Sequence, residues 1–162
     1  MNELIQQRLN NYFSIADKNP FNLVMVSIVS EPDDFICELY AVILEYPNKF
    51  FLADLFSMVY LSLRNIYDLP SLFNIKYRQS KPTTISIYGE DVCILGSMSL
   101  LVETTNELLK AFSKHYPDRI DLLLYTIQTL NNIHINPFTK NNLDNIKDSM
   151  KREYLVILGQ LS

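Results

Sequence analysis

Apolar residues recur at steps of three and four along the stretch from Asp91 to Phe112. Residues three or four positions apart lie on the same face of an α-helix, so this spacing forms one stripe. Polar side chains such as Glu103 and Lys110 fall on the opposite face. We therefore predict an amphipathic helix with Asp91 as its N-cap and its apolar stripe in the core. The stripe consists of Ile94, Leu95, Met98, Leu101, Val102, Leu108, Leu109 and Phe112.

Seven prolines divide the rest of the chain into segments of helical length. Proline disfavours the continuation of a helix and restricts the residue before it, so these positions mark breaks. The run from Phe50 to Leu63 is apolar on most sides, which indicates a buried central helix. This central helix is predicted over residues 48–67, and further helices over residues 3–16, 33–46, 118–130 and 139–161.

Two segments are consistent with either a strand or a helix. Residues 21–29 are rich in valine and isoleucine without strict alternation, and their helical surroundings favour a helix. Residues 83–88 alternate polar and apolar side chains, the pattern of a strand, and such a strand could pair with residues 92–95. Gly96 then marks either a close packing contact or the true start of the long helix.

The composition fits one folded domain. A chain of 162 residues is long enough to bury a single core, and 48% apolar with 20% charged residues is a globular balance. Together with the helical pattern, this predicts an all-α, single-domain bundle of five to six helices over residues 1–162. One short β-hairpin is allowed near residues 83–95.

Charge and cysteine usage indicate a cytoplasmic protein. The formal charge of −4 gives no general attraction to nucleic acid or to an anionic membrane. Cys37 and Cys93 stand in apolar contexts, which favours reduced, buried thiols. The polar N-terminus does not resemble a signal peptide, and the apolar run at residues 50–63 is too short to span a bilayer. Frequent asparagine, isoleucine, tyrosine and lysine suggest an A/T-rich genome.

Sequence motifs for cofactor chemistry are missing. The three glycines are isolated, so the chain has neither a P-loop nor a dinucleotide-binding fingerprint. No histidine or cysteine spacing indicates zinc. The carboxylate pairs Asp33/Asp34, Glu90/Asp91 and Asp118/Asp121 lie at predicted helix starts, where acids favour the helix dipole. We therefore predict no cofactor, no metal ligand and no catalytic residue.

One loop combines cations with an aromatic side chain. Residues 76–81 contain Lys76, Tyr77, Arg78 and Lys81 and no acid. These four residues are the candidate partner-binding site, with an acidic protein as the expected partner; a plain solvated loop is the other interpretation, and the one that the pattern favours. Binding of nucleic acid is disfavoured, because the loop is small and the remaining chain is acidic.

The leading prediction is a non-enzymatic protein–protein interaction protein: an adaptor, inhibitor or immunity-type protein that masks a partner surface. Ten tyrosines and nine phenylalanines support it, because aromatic side chains are enriched at interfaces. A homo-oligomer would use the same aromatic surplus. The alternative is an enzyme with a non-standard site near Tyr88, Glu90, Asp91 and His115. A weak nucleic-acid binder acting through residues 76–81 is the third hypothesis.

Overall fold

The computed structural model describes residues 3–13, 21–134 and 142–161. These residues are mostly helical, which confirms the predicted all-α class, and they include one short two-stranded hairpin. The helices are α1 (Glu3–Asn11), α2 (Asn22–Ser30), α3 (Asp34–Ile43), α4 (Phe50–Tyr67), α5 (Thr84–Tyr88), α6 (Glu90–His115), α7 (Ile120–His134) and α8 (Leu143–Leu161). A 3₁₀ turn covers Pro47–Lys49, and the hairpin pairs β1 (Tyr77–Arg78) with β2 (Lys81–Pro82).

Helix α4 lies at the centre of the bundle, as the sequence predicts. Fifteen of its 18 residues are buried. Helices α1, α2, α3, α6 and α8 all pack against it, so it has no solvent face. A helix that is apolar on most sides needs such complete coverage, because any open face would leave large apolar side chains in water.

Helix α6 packs closely along α4 through small and polar side chains. The hydroxyl of Ser62 donates to the carbonyl of Ser97 at 3.0 Å, and the amide of Asn65 donates to the Ser97 hydroxyl at 2.8 Å. Gly96 faces α2, where a Cβ would overlap Cγ1 of Val24. Gly96 is therefore a close packing contact, which is one of the two interpretations given above, and it is not the start of the helix.

The predicted core stripe of α6 is wrong for most of its members. Five of its apolar residues are exposed, and the core face is formed instead by a neighbouring set of mostly small residues. Gly89 is the N-cap residue and makes no side-chain cap, so Asp91 is not the N-cap. Small side chains let α6 approach α4 and α2, which a search for large apolar residues does not detect. The exposed members are Ile94, Leu95, Met98, Val102 and Leu109.

The predicted strand at residues 83–88 and hairpin near 83–95 are also wrong in position. Residues 84–88 form α5, and the hairpin lies just before it. The hydroxyl of Thr83 donates to the carbonyl of Ile75 at 2.8 Å, and that of Ser86 donates to the carbonyl of Lys76 at 2.7 Å. The alternating polar side chains thus satisfy loop carbonyls, and they do not form one face of a strand.

The remaining boundaries differ from the predictions in smaller ways. Residues 21–29 are helical, as their surroundings indicated. The described part of the chain contains eight helices, more than the five or six predicted, because α2 and α5 are separate elements. Two predicted boundaries lie outside the described residues. The predicted end of the first helix falls within residues 14–20, and the predicted start of the last helix falls within residues 135–141.

Helix α6 has the length and hydropathy that would allow a helix to cross a membrane, and it is the one such helix among the described residues. These two properties are shared by central helices of bundles in water. The hydrogen bonds between α6 and α4 belong to helix packing and do not require a membrane. The cytoplasmic location stays a prediction.

Candidate functional site

The structure separates the four residues of the predicted enzyme site. Tyr88, Glu90 and Asp91 lie at the junction of α5 and α6, whereas His115 ends α6. Twenty-five helical steps of about 1.5 Å place His115 roughly 38 Å from Glu90 along the helix axis. His115 therefore cannot act on a substrate held at Glu90.

The four residues of the predicted partner-binding loop differ in accessibility. Lys76, Tyr77 and Lys81 are exposed, and a shallow pocket of about 380 Å³ links the loop to Glu90. The guanidinium of Arg78 instead points inward and is held by carboxylates. Partner binding by this loop stays a prediction, and Arg78 is not available to it while these ion pairs are formed.

Arg78 belongs to a charge network inside the bundle. Its Nη2 donates to Asp68 at 2.7 Å, and its Nη1 donates to Glu31 at 2.8 Å. Arg64 donates to Asp33 at 2.9 Å, and Thr84 donates to Glu31 at 3.1 Å. The network joins the turn before α3 to α4, α5 and the hairpin.

Each carboxylate of this network is paired with a guanidinium. Burial alone would lower the pKa of Arg78, but the hydrogen-bonded carboxylates of Asp68 and Glu31 raise it above its ordinary value. Arg64 is almost fully buried and also donates to the carbonyl of Pro32 at 2.9 Å. Three carboxylates opposite two guanidiniums leave a formal charge of −1, and each carboxylate has a guanidinium partner, so we interpret the network as structural.

Another buried carboxylate, Asp54, lies outside this network, where α1 and α3 meet α4. Arg8 binds it with two parallel hydrogen bonds, from Nε at 3.0 Å and from Nη2 at 2.7 Å. The hydroxyls of Tyr12 and Tyr40 also donate to it. Burial, and next the charge of Asp54, raises the pKa of both tyrosines, so the hydroxyls remain protonated donors.

Arg8 also forms part of an open groove. Its guanidinium lies over the ring of Phe50, 4.8 Å from the ring centre. Between α1, α3 and the start of α4 this groove encloses about 610 Å³, and we call it the α1–α3 groove. Its walls are mostly apolar, with polar side chains along one side. The lining residues are Leu4, Ile5, Gln7, Arg8, Asn11, Cys37, Tyr40, Ala41, Leu44 and Phe50.

The α1–α3 groove combines apolar walls with the guanidinium of Arg8. Its volume lies within the range of about 300–1,000 Å³ that ligand sites occupy, and such sites combine apolar walls with a few polar groups. The groove and the rest of the described residues offer no candidate metal site. Among them, no group of three or more His, Cys, Asp or Glu side chains could hold a metal ion.

The two cysteines are free, and they differ in access. Cys93 is buried, as predicted, and burial raises the pKa of its thiol to about 12. Cys37 was also predicted to be buried, but it is only half-buried and lines the α1–α3 groove. A thiol reagent therefore has access to the groove residue and not to the core residue.

Sequence reasoning missed the α1–α3 groove. The one available signal was Asp54, an acid within the most apolar run of the chain. A buried carboxylate needs a cation or several donors, and Arg8 supplies the cation from 46 positions away. Nothing in the sequence pattern identifies that pairing.

No protein-family model and no curated protein matches this sequence. Solved structures share the fold. An isoprenoid synthase family member from Thermotoga neapolitana has a TM-score of 0.65 at 16% identity, over 82% of this chain and 52% of its own. A geranyltranstransferase from Thermotoga maritima has a TM-score of 0.55 at 16% identity, over 80% of this chain and 51% of its own. The chain thus spans about half the length of these structures.

This likeness corrects two predictions. The sequence reading favoured a non-enzymatic adaptor, inhibitor or immunity-type protein, and it predicted no enzyme. The solved structures that share the fold are named as enzymes. The prediction failed because it relied on missing sequence motifs, and a fold can be shared when only 16% of residues are identical.

Proposed function

We propose that the protein is a prenyltransferase-like enzyme that holds a prenyl chain in the α1–α3 groove. The groove is the observation that carries the proposal, because it offers apolar walls and a guanidinium in one site. The fold shared with an isoprenoid synthase family member and a geranyltranstransferase supports the choice of reaction class.

The apolar walls account for recognition of the hydrocarbon. Leu4 in α1, Ala41 in α3 and Leu44 directly after α3 line the groove. Each CH₂ group removed from water contributes about 0.8 kcal/mol, so one five-carbon isoprene unit contributes up to about 4 kcal/mol. The cost of ordering a flexible chain reduces this sum.

Arg8 is suited to the anionic end of a prenyl diphosphate. Two of its five N–H donors bind Asp54, which fixes the plane of the guanidinium. The other donors can reach a phosphate, whose oxygens match the planar fork of arginine. Asp54 and the Phe50 ring thus hold Arg8 in position before any ligand arrives.

An aromatic ring beside Arg8 can stabilise the positive charge that develops during prenyl transfer. When a prenyl group is transferred, its bond to the diphosphate oxygen breaks and the electron pair leaves with the diphosphate. Positive charge develops on the prenyl carbon until the acceptor donates an electron pair and releases a proton. Tyr40 lines the groove, and its ring can stabilise that charge, because aromatic faces attract cations; the Phe50 ring is already covered by the Arg8 guanidinium.

Protection of Cys37 from a maleimide tests the binding step. Geranyl or farnesyl diphosphate should slow labelling of Cys37, whereas inorganic diphosphate should not, because the apolar chain covers the thiol. Leu44→Asp should remove the protection. The matched control is Leu124→Asp on α7, a similarly exposed leucine outside the groove. Equal labelling rates with and without each prenyl diphosphate would refute the site.

Turnover tests the enzymatic step separately. Incubation with a prenyl diphosphate and a panel of isoprenoid acceptors should release diphosphate and give a longer product on chromatography. Arg8→Gln should reduce that rate at least tenfold. If Cys37 is protected but no acceptor yields a product, the groove binds prenyl chains and the enzymatic part of the proposal is wrong.

A further inference from the structure

The guanidinium of Arg8 keeps one edge free of partners within the bundle. Its Nε donates to Asp54 at 3.0 Å and its Nη2 at 2.7 Å, so Asp54 occupies the edge that joins these two nitrogens. The edge between Nη1 and Nη2 keeps two parallel N–H donors, and among the described residues no acceptor is bonded to Nη1. Such a pair of donors matches the two oxygens of a carboxylate.

The pair formed by Arg8 and Asp54 turns its positive end toward the α1–α3 groove. The Asp54 side chain is 1% exposed and lies inside the bundle, whereas the Arg8 side chain is 41% exposed and lines the groove. The hydroxyls of Tyr12 and Tyr40 also donate to Asp54, so four donors share the charge of this carboxylate. A single anionic group in the groove is therefore favoured. Among the described residues that line the groove, Arg8 is the one charged side chain.

The apolar part of the groove is short and open. Its walls extend from Leu4 to Asn11 along α1 and from Cys37 to Leu44 at the end of α3. Seven steps of about 1.5 Å give each wall a length of about 10 Å. An extended alkyl chain advances about 1.3 Å per carbon, so roughly eight carbons span the walls. Leu4 and Leu44 are 68% and 71% exposed, so a chain lying between them removes apolar surface from water.

We infer that the α1–α3 groove binds a medium-chain carboxylate, a linear fatty acid of about eight to ten carbons. The carboxylate accepts two hydrogen bonds from the free edge of Arg8, and the alkyl chain lies between the walls and covers the thiol of Cys37. The inference rests on the same groove as the proposed function, but it needs no transfer reaction. A bound fatty acid and a prenyl diphosphate exclude each other, so the fatty acid is a competitive inhibitor of the proposed enzyme.

Titration calorimetry with three eight-carbon ligands tests recognition of the head group. Octanoate, 1-octanol and octylammonium share one alkyl chain and differ in charge at one end. Octanoate should bind at least tenfold more tightly than either of the others, because only a carboxylate accepts two charge-assisted hydrogen bonds from Arg8. Equal affinities for the three ligands would overturn the inference, since the alkyl chain alone would then account for binding.

A series of linear carboxylates tests the length of the groove. Each CH₂ group added between butanoate and octanoate should tighten binding up to about fourfold, because it enters the groove. Affinity should change little from decanoate to tetradecanoate, since the added carbons lie beyond the walls. An affinity that keeps rising by the same factor up to tetradecanoate would overturn the assignment to this groove.

A variant that fills the groove tests its position on the protein. Ala41 is exposed on α3 and lines the groove, so Ala41→Phe occupies the space for the alkyl chain without entering the core. This variant should bind octanoate at least tenfold more weakly, and its circular dichroism spectrum should be that of the wild type. Leu124→Phe on α7 is the matched control and should bind as the wild type does. Unchanged binding by Ala41→Phe would overturn the inference.

Maleimide labelling of Cys37 separates this inference from the proposed function. Octanoate should slow the labelling, because its chain covers the thiol. If geranyl diphosphate protects Cys37 and octanoate does not, the inference is wrong and the proposed function stands. If octanoate protects Cys37 and no prenyl diphosphate does, the proposed function is wrong and the inference stands.

Discussion

Replacing Arg64 with methionine removes a cation from the interior of the bundle. The side chain of Arg64 is only 4% exposed, and it donates to Asp33 and to the carbonyl of Pro32, each at 2.9 Å. Methionine fills much of the same volume but donates no hydrogen bond. The variant therefore leaves the Asp33 carboxylate without its cation.

The expected loss of stability follows from this burial. Breaking a buried ion pair by removing one member costs about 3–5 kcal/mol. The hydroxyl of Tyr60 still donates to Asp33 at 3.1 Å, which favours the lower end of that range. The control is Lys151→Met, which breaks a pair with Glu38 whose lysine side chain is 46% exposed. Such an exposed pair contributes only about 0–1 kcal/mol.

Urea unfolding followed by circular dichroism measures both variants. The free energy of unfolding should fall by about 3 kcal/mol for Arg64→Met, with a decrease in Tm of roughly 6–12 °C. Arg64→Lys keeps the charge and loses the planar fork, so its loss should be intermediate. If Arg64→Met stays within about 1 kcal/mol of both the wild type and the Lys151→Met control, the network does not stabilise the fold as argued.

Gly96→Ala should lower the free energy of unfolding by about 1–3 kcal/mol, because its Cβ would overlap Val24. Gly159→Ala in α8 is the control and should stabilise by up to about 1 kcal/mol, since nothing lies within 4 Å; equal effects in chemical denaturation would contradict the packing argument. Stability should fall above pH 10, because the pKa values of Tyr12 and Tyr40 are raised in the folded state. Each of the two tyrosines lowers the free energy of unfolding by about 1.4 kcal/mol per pH unit above its unfolded-state pKa. An unfolding midpoint that is unchanged from pH 9 to pH 11 would contradict this prediction.

The central helix and the helical class were predictable from sequence, because large apolar residues on all sides of residues 50–63 require burial. The orientation of α6 was not. Its core face includes Leu100, Leu108 and Phe112 but is otherwise made by Cys93, Gly96, Ser97 and Thr104, whose small side chains permit close helix packing. The prediction placed the large apolar residues of α6 in the core because it ranked faces by hydrophobicity. The face that packs on α4 and α2 is instead the one whose small side chains allow close approach.

The charged interior was beyond sequence reasoning for a different physical reason. Glu31 and Asp33 fit the start of a helix, and the Asp33 side chain does accept a hydrogen bond from the backbone of Phe35 at 2.8 Å. Their additional pairing with Arg64 and Arg78 joins positions 31 and 47 residues apart. Local patterns contain no information about such pairs. The α1–α3 groove could not be predicted for the same reason, because its walls come from segments that are distant in the sequence.

The complete coverage of α4 has a consequence for how the chain is made. Helix α8, which covers one side of α4, begins at Leu143, 76 positions after α4 ends at Tyr67. At about 5–20 residues per second, a ribosome needs roughly 4–15 seconds to synthesise that distance. During this time the apolar surface of α4 that will contact α8 faces water or a chaperone. A chain that stops before residue 143 therefore keeps this surface open and is prone to aggregate.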